Sequence, residues 1–296
     1  MVADAIGGVR LWWRRHPGAA TATGIAPALL VVGALFGAAI LAAFSRSFGA
    51  MPDPLGAYRV VVADPEFRAA AAMTIAVAVT STAMATVLGV AAALGALRLV
   101  RGRRTLLALF QANLAVPHVI GAIAMLNLLG QSGFVARIAG QAGLIDGPAS
   151  FPALVHDPAS VAVIAHYVWK EVPFVALVTL AILRAAGEGF DEAARTLGAS
   201  RWQRLRSVTL PLVLPGVLPA ALVVFAFTFG TFEVPLLLGR SYPAMLPVLA
   251  HKRFIAVDLA ARPEAMAIAV IISVFVLFVV VLGAVTARRA IRRVAT

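Results

Sequence analysis

The chain of 296 residues contains no cysteine. This absence excludes disulfide bonds, thiolate metal ligands and cysteine nucleophiles, and it leaves the redox compartment open. Charged residues are scarce too, at 13% of the chain, whereas soluble domains have about 25%. Lysine occurs only as Lys170 and Lys252, and neither stands in the pattern G-x-x-x-x-G-K-S/T of a phosphate-binding loop. The chain therefore has no such ATP-binding loop of its own.

Hydrophobic residues make up 61% of the chain, which is more than one globular core can bury. They are concentrated in six runs, each long enough to cross about 30 Å of hydrocarbon as a helix. A helix is required because a backbone in lipid must satisfy its own hydrogen bonds. The predicted spans are 24–44, 69–97, 105–130, 159–183, 213–238 and 264–287. The sequence thus predicts one all-α integral membrane domain of six transmembrane helices over residues 1–296.

Arginine is distributed unevenly between the segments that join these spans, within a net charge of +12. Cytoplasmic segments favour arginine and lysine, and one set of segments holds about twice as many of them as the other set. This set comprises 1–23, 98–104, 184–212 and 288–296. We therefore predict that both termini, the N-terminal segment and the 184–212 loop are cytoplasmic. Nucleic-acid binding is not favoured, because the basic residues form no arm or face of a soluble domain.

The loop between the fourth and fifth spans carries strong local helix signals. Asp191 is a suitable N-cap for a short helix, and Gly198 can adopt the left-handed conformation that ends one. Ser200 and Gln203 have the spacing of a capping box, which begins a second helix. Proline lacks the backbone N–H that a helix interior needs, so Pro211 is expected to end this second helix. The loop is therefore predicted to be a helix, a glycine elbow and a second helix.

The same loop resembles the EAA signature of permease subunits in binding-protein-dependent ABC importers. In that family the loop docks in a groove of the ATPase subunit and transmits nucleotide-driven closure to the membrane helices. Val208 departs mildly from the pattern, because many members have isoleucine there. The residues that the resemblance assigns to ATPase coupling are Glu192, Ala193, Ala194, Gly198, Ala199, Leu210 and Pro211.

Three further stretches, 117–140, 167–174 and 229–239, look like the branch of the family that handles spermidine/putrescine, thiamine, iron(III) and sulfate. The resemblance implies a bacterial inner-membrane complex with two permease chains, two ATPase subunits and an extracytoplasmic solute-binding protein. The second permease is either a copy of this chain or a paralogue, and no cofactor is implied. A polyamine is the first hypothesis for the solute, and iron(III), thiamine and sulfate are the alternatives.

Two ionisable residues, Lys170 and Glu171, lie near the middle of the fourth span. Ionisable groups at this depth are costly, so each is a candidate for the translocation path. As sequence neighbours they point about 100° apart on a helix. The structural interpretation is that each pairs with a different helix and holds the bundle together.

The third span carries the polar residues Asn113, Pro117, Asn127 and Gln131, which share one face of a continuous helix. Such a stripe lines an aqueous path or forms hydrogen bonds between helices, and both interpretations stay open. His118 points away from this face and is expected to be a packing residue. The five histidines show no paired ligand spacing, so no metal site is predicted.

Glu233 is placed near the outer end of the fifth span, beside Pro235, which loosens the helix. Its carboxylate either reaches the outer interface or faces a wet cavity on the path, and the irregular helix around it favours the cavity. An intramembrane enzyme would need a motif such as H-E-x-x-H or G-x-S-x-G, and neither occurs. No catalytic residue is therefore predicted. A membrane receptor or scaffold without an ATPase partner is the remaining alternative.

Overall fold

A computed structural model describes residues 17–48, 53–99, 101–187 and 189–294, with the side chains of 17–23 and 288–294 left out. Its regular structure is helical throughout these residues. The predicted N-terminal segment 1–23 lies mostly outside them, and the first helix already begins at Pro17. The helices are α1 (Pro17–Ser47), α2 (Gly56–Ala63), α3 (Pro65–Arg98), α4 (Arg103–Ala115), α5 (His118–Leu129), α6 (Phe134–Gln141), α7 (Val161–Ala186), α8 (Gly189–Thr196), α9 (Arg201–Arg204), α10 (Leu210–Gly230), α11 (Glu233–Leu238), α12 (Leu246–Phe254) and α13 (Ala261–Val294).

Six helical stretches of the described residues are long and apolar enough to cross a membrane, which confirms the predicted all-α, six-span fold. The first, second, fourth and sixth spans agree with prediction to within a few residues. The third and fifth differ in ways that matter for the site. The observed stretches are Gly24–Ser47, Pro65–Arg98, His118–Gln141, Val161–Ala186, Arg201–Gly230 and Ala261–Ala287.

The predicted third span, 105–130, is wrong as a continuous helix. Helix α4 ends at Ala115, and the backbone is extended at Val116 and Pro117 before α5 begins at His118. The physical reason is that proline disfavours the helical conformation in the residue before it and removes one helix hydrogen bond. Hydrophobicity alone does not register this break, because both halves are apolar.

The predicted fifth span, 213–238, is displaced at both ends. Pro211 does not end the second loop helix. Instead, a π-helical turn over Leu205–Thr209, in which the Leu210 N–H donates to the Leu205 carbonyl, joins α9 to α10. Pro211 then stands in the first turn of α10, where a missing N–H costs little. At the other end α10 stops at Gly230, and residues 231 and 232 separate it from α11.

Helices α3 and α7 form the centre of the bundle, and small residues let them approach closely. The face of α3 that is buried against its neighbours includes Ala85, Gly89, Ala93 and Ala96. A Cβ atom on Gly89 would lie 2.6 Å from the Cβ of Val175 in α7, a distance that side chains do not tolerate. Close packing through small residues is the usual way in which helices associate in lipid.

The connecting segments gather at two ends of the bundle. At one end the last turns of α3 and α7, the start of α4 and the loop helices α8 and α9 line a common cleft, and we call this end the loop face. At the opposite end the His156 Nδ1–H donates to the Gly239 carbonyl at 2.7 Å, and Arg253 bridges Asp64 and Glu264. Successive spans therefore alternate in direction, as a six-span protein requires.

The loop face is predicted to be cytoplasmic, and the absence of cysteine makes this simple to test. Arg101→Cys and Arg201→Cys should react with a membrane-impermeant maleimide only after the cytoplasmic side is opened. Leu144→Cys, on an exposed turn at the opposite face, should react in intact cells. Labelling of Arg201→Cys from outside intact cells would overturn the orientation.

Candidate functional site

The elbow of the 184–212 loop is a C-terminal helix cap built around Gly198. This residue has a φ of 79°, in the left-handed region. Its N–H donates to the Arg195 carbonyl, and the Ala199 N–H donates to the Ala194 carbonyl, both at 3.0 Å. These two bonds form a Schellman motif, which satisfies carbonyls at the end of α8. The predicted glycine elbow is confirmed.

Helix α9 begins with the predicted capping box. The Gln203 N–H donates to the Ser200 Oγ at 3.3 Å, and the Ser200 N–H donates to the Gln203 Oε1 at 2.8 Å. The two bonds satisfy N–H groups that a helix start leaves open. With the elbow before it, this box fixes the angle between α8 and α9.

Asp191 is not an N-cap, contrary to the sequence prediction, because α8 already begins at Gly189. Its Oδ1 lies 2.9 Å from the Nε of Arg204, so the carboxylate forms an ion pair between α8 and α9. The acidic side chain therefore fastens the two loop helices together across the elbow. Glu192 and Ala193 are exposed on α8, while Ala194 and Ala199 are partly covered.

Three large apolar side chains of the loop are exposed, and the sequence analysis did not single them out. Leu197 is 87% exposed, Trp202 67% and Phe190 60%. Apolar surface of this size on an otherwise polar loop marks an interaction surface. The sequence could have indicated them, because Leu197 and Trp202 stand on either side of the Gly198 elbow and Phe190 near the start of the loop, where no membrane span can bury them.

A cleft of about 540 Å³ separates the loop from the ends of the membrane helices. Its walls belong to the loop and to α3, α7 and α10, so the loop stands beside the ends of three spans. The residues that line the cleft include Arg98, Arg103, Arg184, Arg195, Arg204, Asp191 and Leu212.

Lys170 and Glu171 are buried in α7, at 3% and 8% exposure. The Lys170 Nζ donates to the backbone carbonyl of Asn113 in α4. The Glu171 Oε1 lies 3.8 Å from the Nε2 of His118 in α5. The two neighbours thus contact two different helices, which is the arrangement that the structural interpretation describes.

His118 forms a buried polar group with His166, Lys170 and Glu171, so it is more than the packing residue expected from the sequence. Its Nδ1 lies 3.4 Å from the Nε2 of His166, and its ring centroid lies 4.5 Å from that of Phe227. His166 and Tyr167 were not singled out in the sequence, although both are completely buried in α7. No set of three histidine or carboxylate ligands suited to a metal ion occurs among the described residues.

The polar stripe predicted along the third span does not exist as one helical face. The break at Pro117 puts Asn113 on α4 and Asn127 on α5, and Gln131 lies in the turn that follows. The side-chain amide of Asn127 donates to its own helix, at the Ile123 carbonyl. The Gln131 Nε2 donates to the Phe151 carbonyl at 3.0 Å, on the opposite face from the loop.

Glu233 begins α11 and does not lie inside a continuous fifth span, because residues 231 and 232 interrupt the helix. It is partly buried, and no ion pair found in the described parts of the chain involves it. The next residues, Val234 and Leu238, pack in one cluster with Ala122 of α5 and Tyr167 of α7. Glu233 is therefore held beside the helices that carry the buried polar group.

Comparison with known proteins identifies the class to which this architecture belongs. Residues 85–292 match the family described as "Binding-protein-dependent transport system inner membrane component". The match covers well over half of the chain and includes both the 184–212 loop and the buried polar group. The chain belongs to this family.

Curated relatives agree with this assignment. The chain is 30% identical over 203 residues to the "Molybdenum transport system permease protein ModB" of Mycobacterium tuberculosis, covering 66% of this chain and 73% of the relative. It is 29% identical over 184 residues to a probable molybdenum ABC transporter permease of Haloferax volcanii, covering 62% and 63% respectively. The protein is thus a permease subunit of an ABC importer, a multi-pass inner-membrane protein and not an enzyme.

Solved structures share the fold. A bacterial ABC transporter involved in the import of the acidic polysaccharide alginate matches with a TM-score of 0.74 at 19% identity, over 95% of this chain and 99% of the other. The MetNI methionine ABC transporter matches with a TM-score of 0.55 at 19% identity, over 74% and 93%. The fold of this chain is therefore one that also occurs in ABC transporters of known structure.

Proposed function

We propose that this chain forms the translocation path for a small tetrahedral oxyanion of the molybdate and sulfate type. The path would be shared with a second permease chain, driven by two ATPase subunits and supplied by an extracytoplasmic binding protein. In this assembly the chain would act as a single transmembrane permease domain, residues 1–296. The observation that carries the assembly is the capped two-helix loop, whose exposed apolar side chains stand at the end of three spans.

The loop has the properties that a docking element needs. Its angle is fixed by the Schellman motif, the capping box and the Asp191–Arg204 ion pair. Its outer surface offers Leu197, Trp202 and Phe190 to a partner. A rigid element with an exposed apolar surface can bind a groove and pass on its displacement without bending. Glu192, Ala193, Ala194, Gly198, Ala199, Leu210 and Pro211 are proposed to act together in this coupling.

The oxyanion is favoured by the molybdenum permeases among the relatives, which match at up to 30% identity over much of their length. Molybdate and sulfate are both divalent tetrahedral anions, so sulfate, one of the alternatives from the sequence, belongs to the same chemical class. The polyamine expected first from the sequence has no support among these relatives. We therefore replace it as the leading hypothesis.

A cationic solute is the second candidate, and one observation favours it. Glu233 has no cationic partner among the described residues. An unpaired carboxylate on the path attracts cations and repels anions. Asn127 and Gln131 remain proposed lining groups under either hypothesis.

Glu233→Gln distinguishes the two solutes. Charges of −1 and −2 about 8 Å apart in watery surroundings repel by ~1 kcal/mol, so the variant should raise apparent molybdate affinity roughly fivefold. Spermidine uptake should be absent in both forms. The measurement is ATP-driven uptake of labelled molybdate and labelled spermidine into cells or proteoliposomes at limiting solute.

Glu66→Gln serves as the matched control, because Glu66 is a partly buried carboxylate on the same face, in the first turn of α3. It should leave uptake unchanged. Spermidine uptake by the wild type that falls in Glu233→Gln would reject the oxyanion and support the cation. Uptake of neither solute would reject both molybdate and spermidine as solutes of this transporter.

A further inference from the structure

Two prolines each leave one backbone carbonyl of the bundle without its usual helical donor. In an α-helix the N–H of a residue donates to the carbonyl four positions earlier, and proline has no N–H. Pro117 therefore frees the carbonyl of Asn113, and Pro173, inside α7, frees the carbonyl of Trp169. Free carbonyls at membrane depth are costly unless another group reaches them.

Each freed carbonyl is reached by a side chain of the other helix. The Lys170 Nζ of α7 donates to the Asn113 carbonyl of α4. In return the Asn113 Nδ2 donates to the Trp169 carbonyl at 3.4 Å. One residue of α4 and two consecutive residues of α7 therefore exchange hydrogen bonds at their proline sites. We call this set, Asn113, Trp169 and Lys170, the reciprocal clamp.

The environment makes these contacts consequential. Lys170 is 3% exposed, so its amine would be costly to bury without an acceptor. The carbonyl that it reaches is at the C-terminal end of α4, where the helix dipole favours a cationic group. The Val116 N–H also reaches this carbonyl, at 3.1 Å, and ends the helix with a tighter turn. The break in the third span is thus stabilised by Lys170 of α7 as well as by Pro117.

The clamp connects α4 to the helix that leads into the coupling loop. Helix α7 ends at Ala186, three positions before α8 begins at Gly189, and Arg103 at the start of α4 lines the cleft beside the loop. Beyond the break, α5 packs with α11 and also with α7, through the cluster that contains Ala122, Val234 and Tyr167. Val116 and Pro117 therefore separate α4, which begins beside the loop, from α5, which packs against α11 at the opposite face.

We propose that the reciprocal clamp makes α4 move with α7 when the coupling loop is displaced, with the break at Val116 and Pro117 as the hinge. Lys170 and Asn113 are then positioning residues, which transmit movement and do not contact solute. The inference rests on the proposed function only in taking the loop as the site where ATPase movement enters.

The test removes each side-chain donor and, at the Trp169 carbonyl, supplies the backbone donor that proline removed. Asn113→Leu deletes one side-chain bond, and adding Pro173→Ala supplies an N–H for the Trp169 carbonyl. Lys170→Met deletes the other bond. Pro117 is left unaltered, because its N–H-bearing replacement could reach the Asn113 carbonyl only by making Val116 helical, which would remove the hinge. The crossed pair, Lys170→Met with Pro173→Ala, is the matched control, and Lys170→Arg keeps a donor of similar length.

Two quantities are measured for each variant, and their outcomes separate the explanations. The first is molybdate taken up per ATP hydrolysed by the full complex in proteoliposomes. Lys170→Met should lower this ratio about tenfold, and Lys170→Arg should stay within about twofold of wild type. Adding Pro173→Ala to Asn113→Leu should recover most of the loss caused by Asn113→Leu, and adding it to Lys170→Met should recover none. The second is the Tm of the solubilised full chain, which should show the same matched recovery.

Other roles predict different results. If Lys170 contacts solute, Lys170→Met raises the KM for uptake and leaves uptake per ATP at saturating solute at the wild-type value. If the clamp only stabilises the fold, the Tm follows the matched pattern while uptake per ATP stays at the wild-type value. Either result overturns the proposal. Should Lys170→Met fail to assemble, the milder Asn113→Leu series decides. The Tm series needs no solute, so failure of the oxyanion hypothesis is recognised separately, by absent molybdate uptake in the wild type.

Discussion

Gly198→Val is expected to separate ATP hydrolysis from transport while the chain remains inserted and assembled. Gly198 has a φ of 79°, and an added Cβ would meet nothing within 4 Å. The substitution therefore costs backbone conformation only, about 1–2 kcal/mol for a side chain in the left-handed region and more for a β-branched one. A cost near 1.4 kcal/mol reduces the population of the bent loop relative to a straightened one about tenfold. Uptake per ATP should fall by a similar factor.

Two substitutions control for this prediction. Gly198→Asn should remain close to wild type, because asparagine adopts the left-handed conformation at much lower cost. Gly189→Ala introduces a Cβ into equally open space in the same loop, at a residue without positive φ, and should have no effect. Uptake and ATP hydrolysis by the purified complex are the measurements. Wild-type coupling in Gly198→Val would show that the elbow does not transmit the movement.

The coupling loop could be predicted from the sequence because its determinants are local. The Schellman motif and the capping box each join residues no more than five positions apart. Their residue preferences are strong, so Gly198, Ser200 and Gln203 identify them without a structure. The failure at Asp191 shows the limit of this reasoning. Its partner, Arg204, lies across the elbow, and no local rule chooses between a cap and an ion pair.

The buried polar group could be anticipated but not assembled. Hydrophobicity placed Lys170 and Glu171 in a span, and helix geometry separated their directions. Which helices they contact depends on the break at Pro117, and hydrophobicity alone does not detect this break. Once the break is known, the stripe of Asn113 and Asn127 divides between two helices. The partner of Lys170 then follows from the carbonyl that Pro117 leaves free.

The segment between the fifth and sixth spans contains Arg240, Lys252, Arg253 and Arg262, and the structure explains one of these charges. Arg253 of α12 forms ion pairs with Asp64, before α3, and with Glu264, at the start of α13. All three side chains are at most 25% exposed. The Asp64 Oδ1 also accepts from the Glu66 N–H at 2.8 Å and so caps α3. This cluster joins three helices at the face opposite the loop.

Arg253→Met should lower the stability of the protein more than any other single charge removal at that face. It leaves Asp64 and Glu264 close together without their shared cation, with most of their surface covered. Breaking a buried pair costs about 3–5 kcal/mol, and partial exposure of these groups reduces the expected loss to roughly 2 kcal/mol. For a chain of this size the Tm should fall by roughly 4–8 °C.

The Tm of the solubilised protein measures this loss, and the neighbouring residue provides the control. Lys252 is exposed and donates to the Ser241 carbonyl at 2.8 Å, so Lys252→Met should change the Tm by no more than about 1 °C. Adding Glu264→Gln to Arg253→Met should recover part of the loss, because it removes the repulsion between the two remaining carboxylates. Asp64 stays unaltered in this pair of variants, so the cap of α3 is kept. If Arg253→Met and Lys252→Met have the same Tm, the cluster contributes little to stability, as an exposed ion pair would. In that case α12 is held by its apolar face and by the hydrogen bond from the Leu246 N–H to the Thr74 Oγ1.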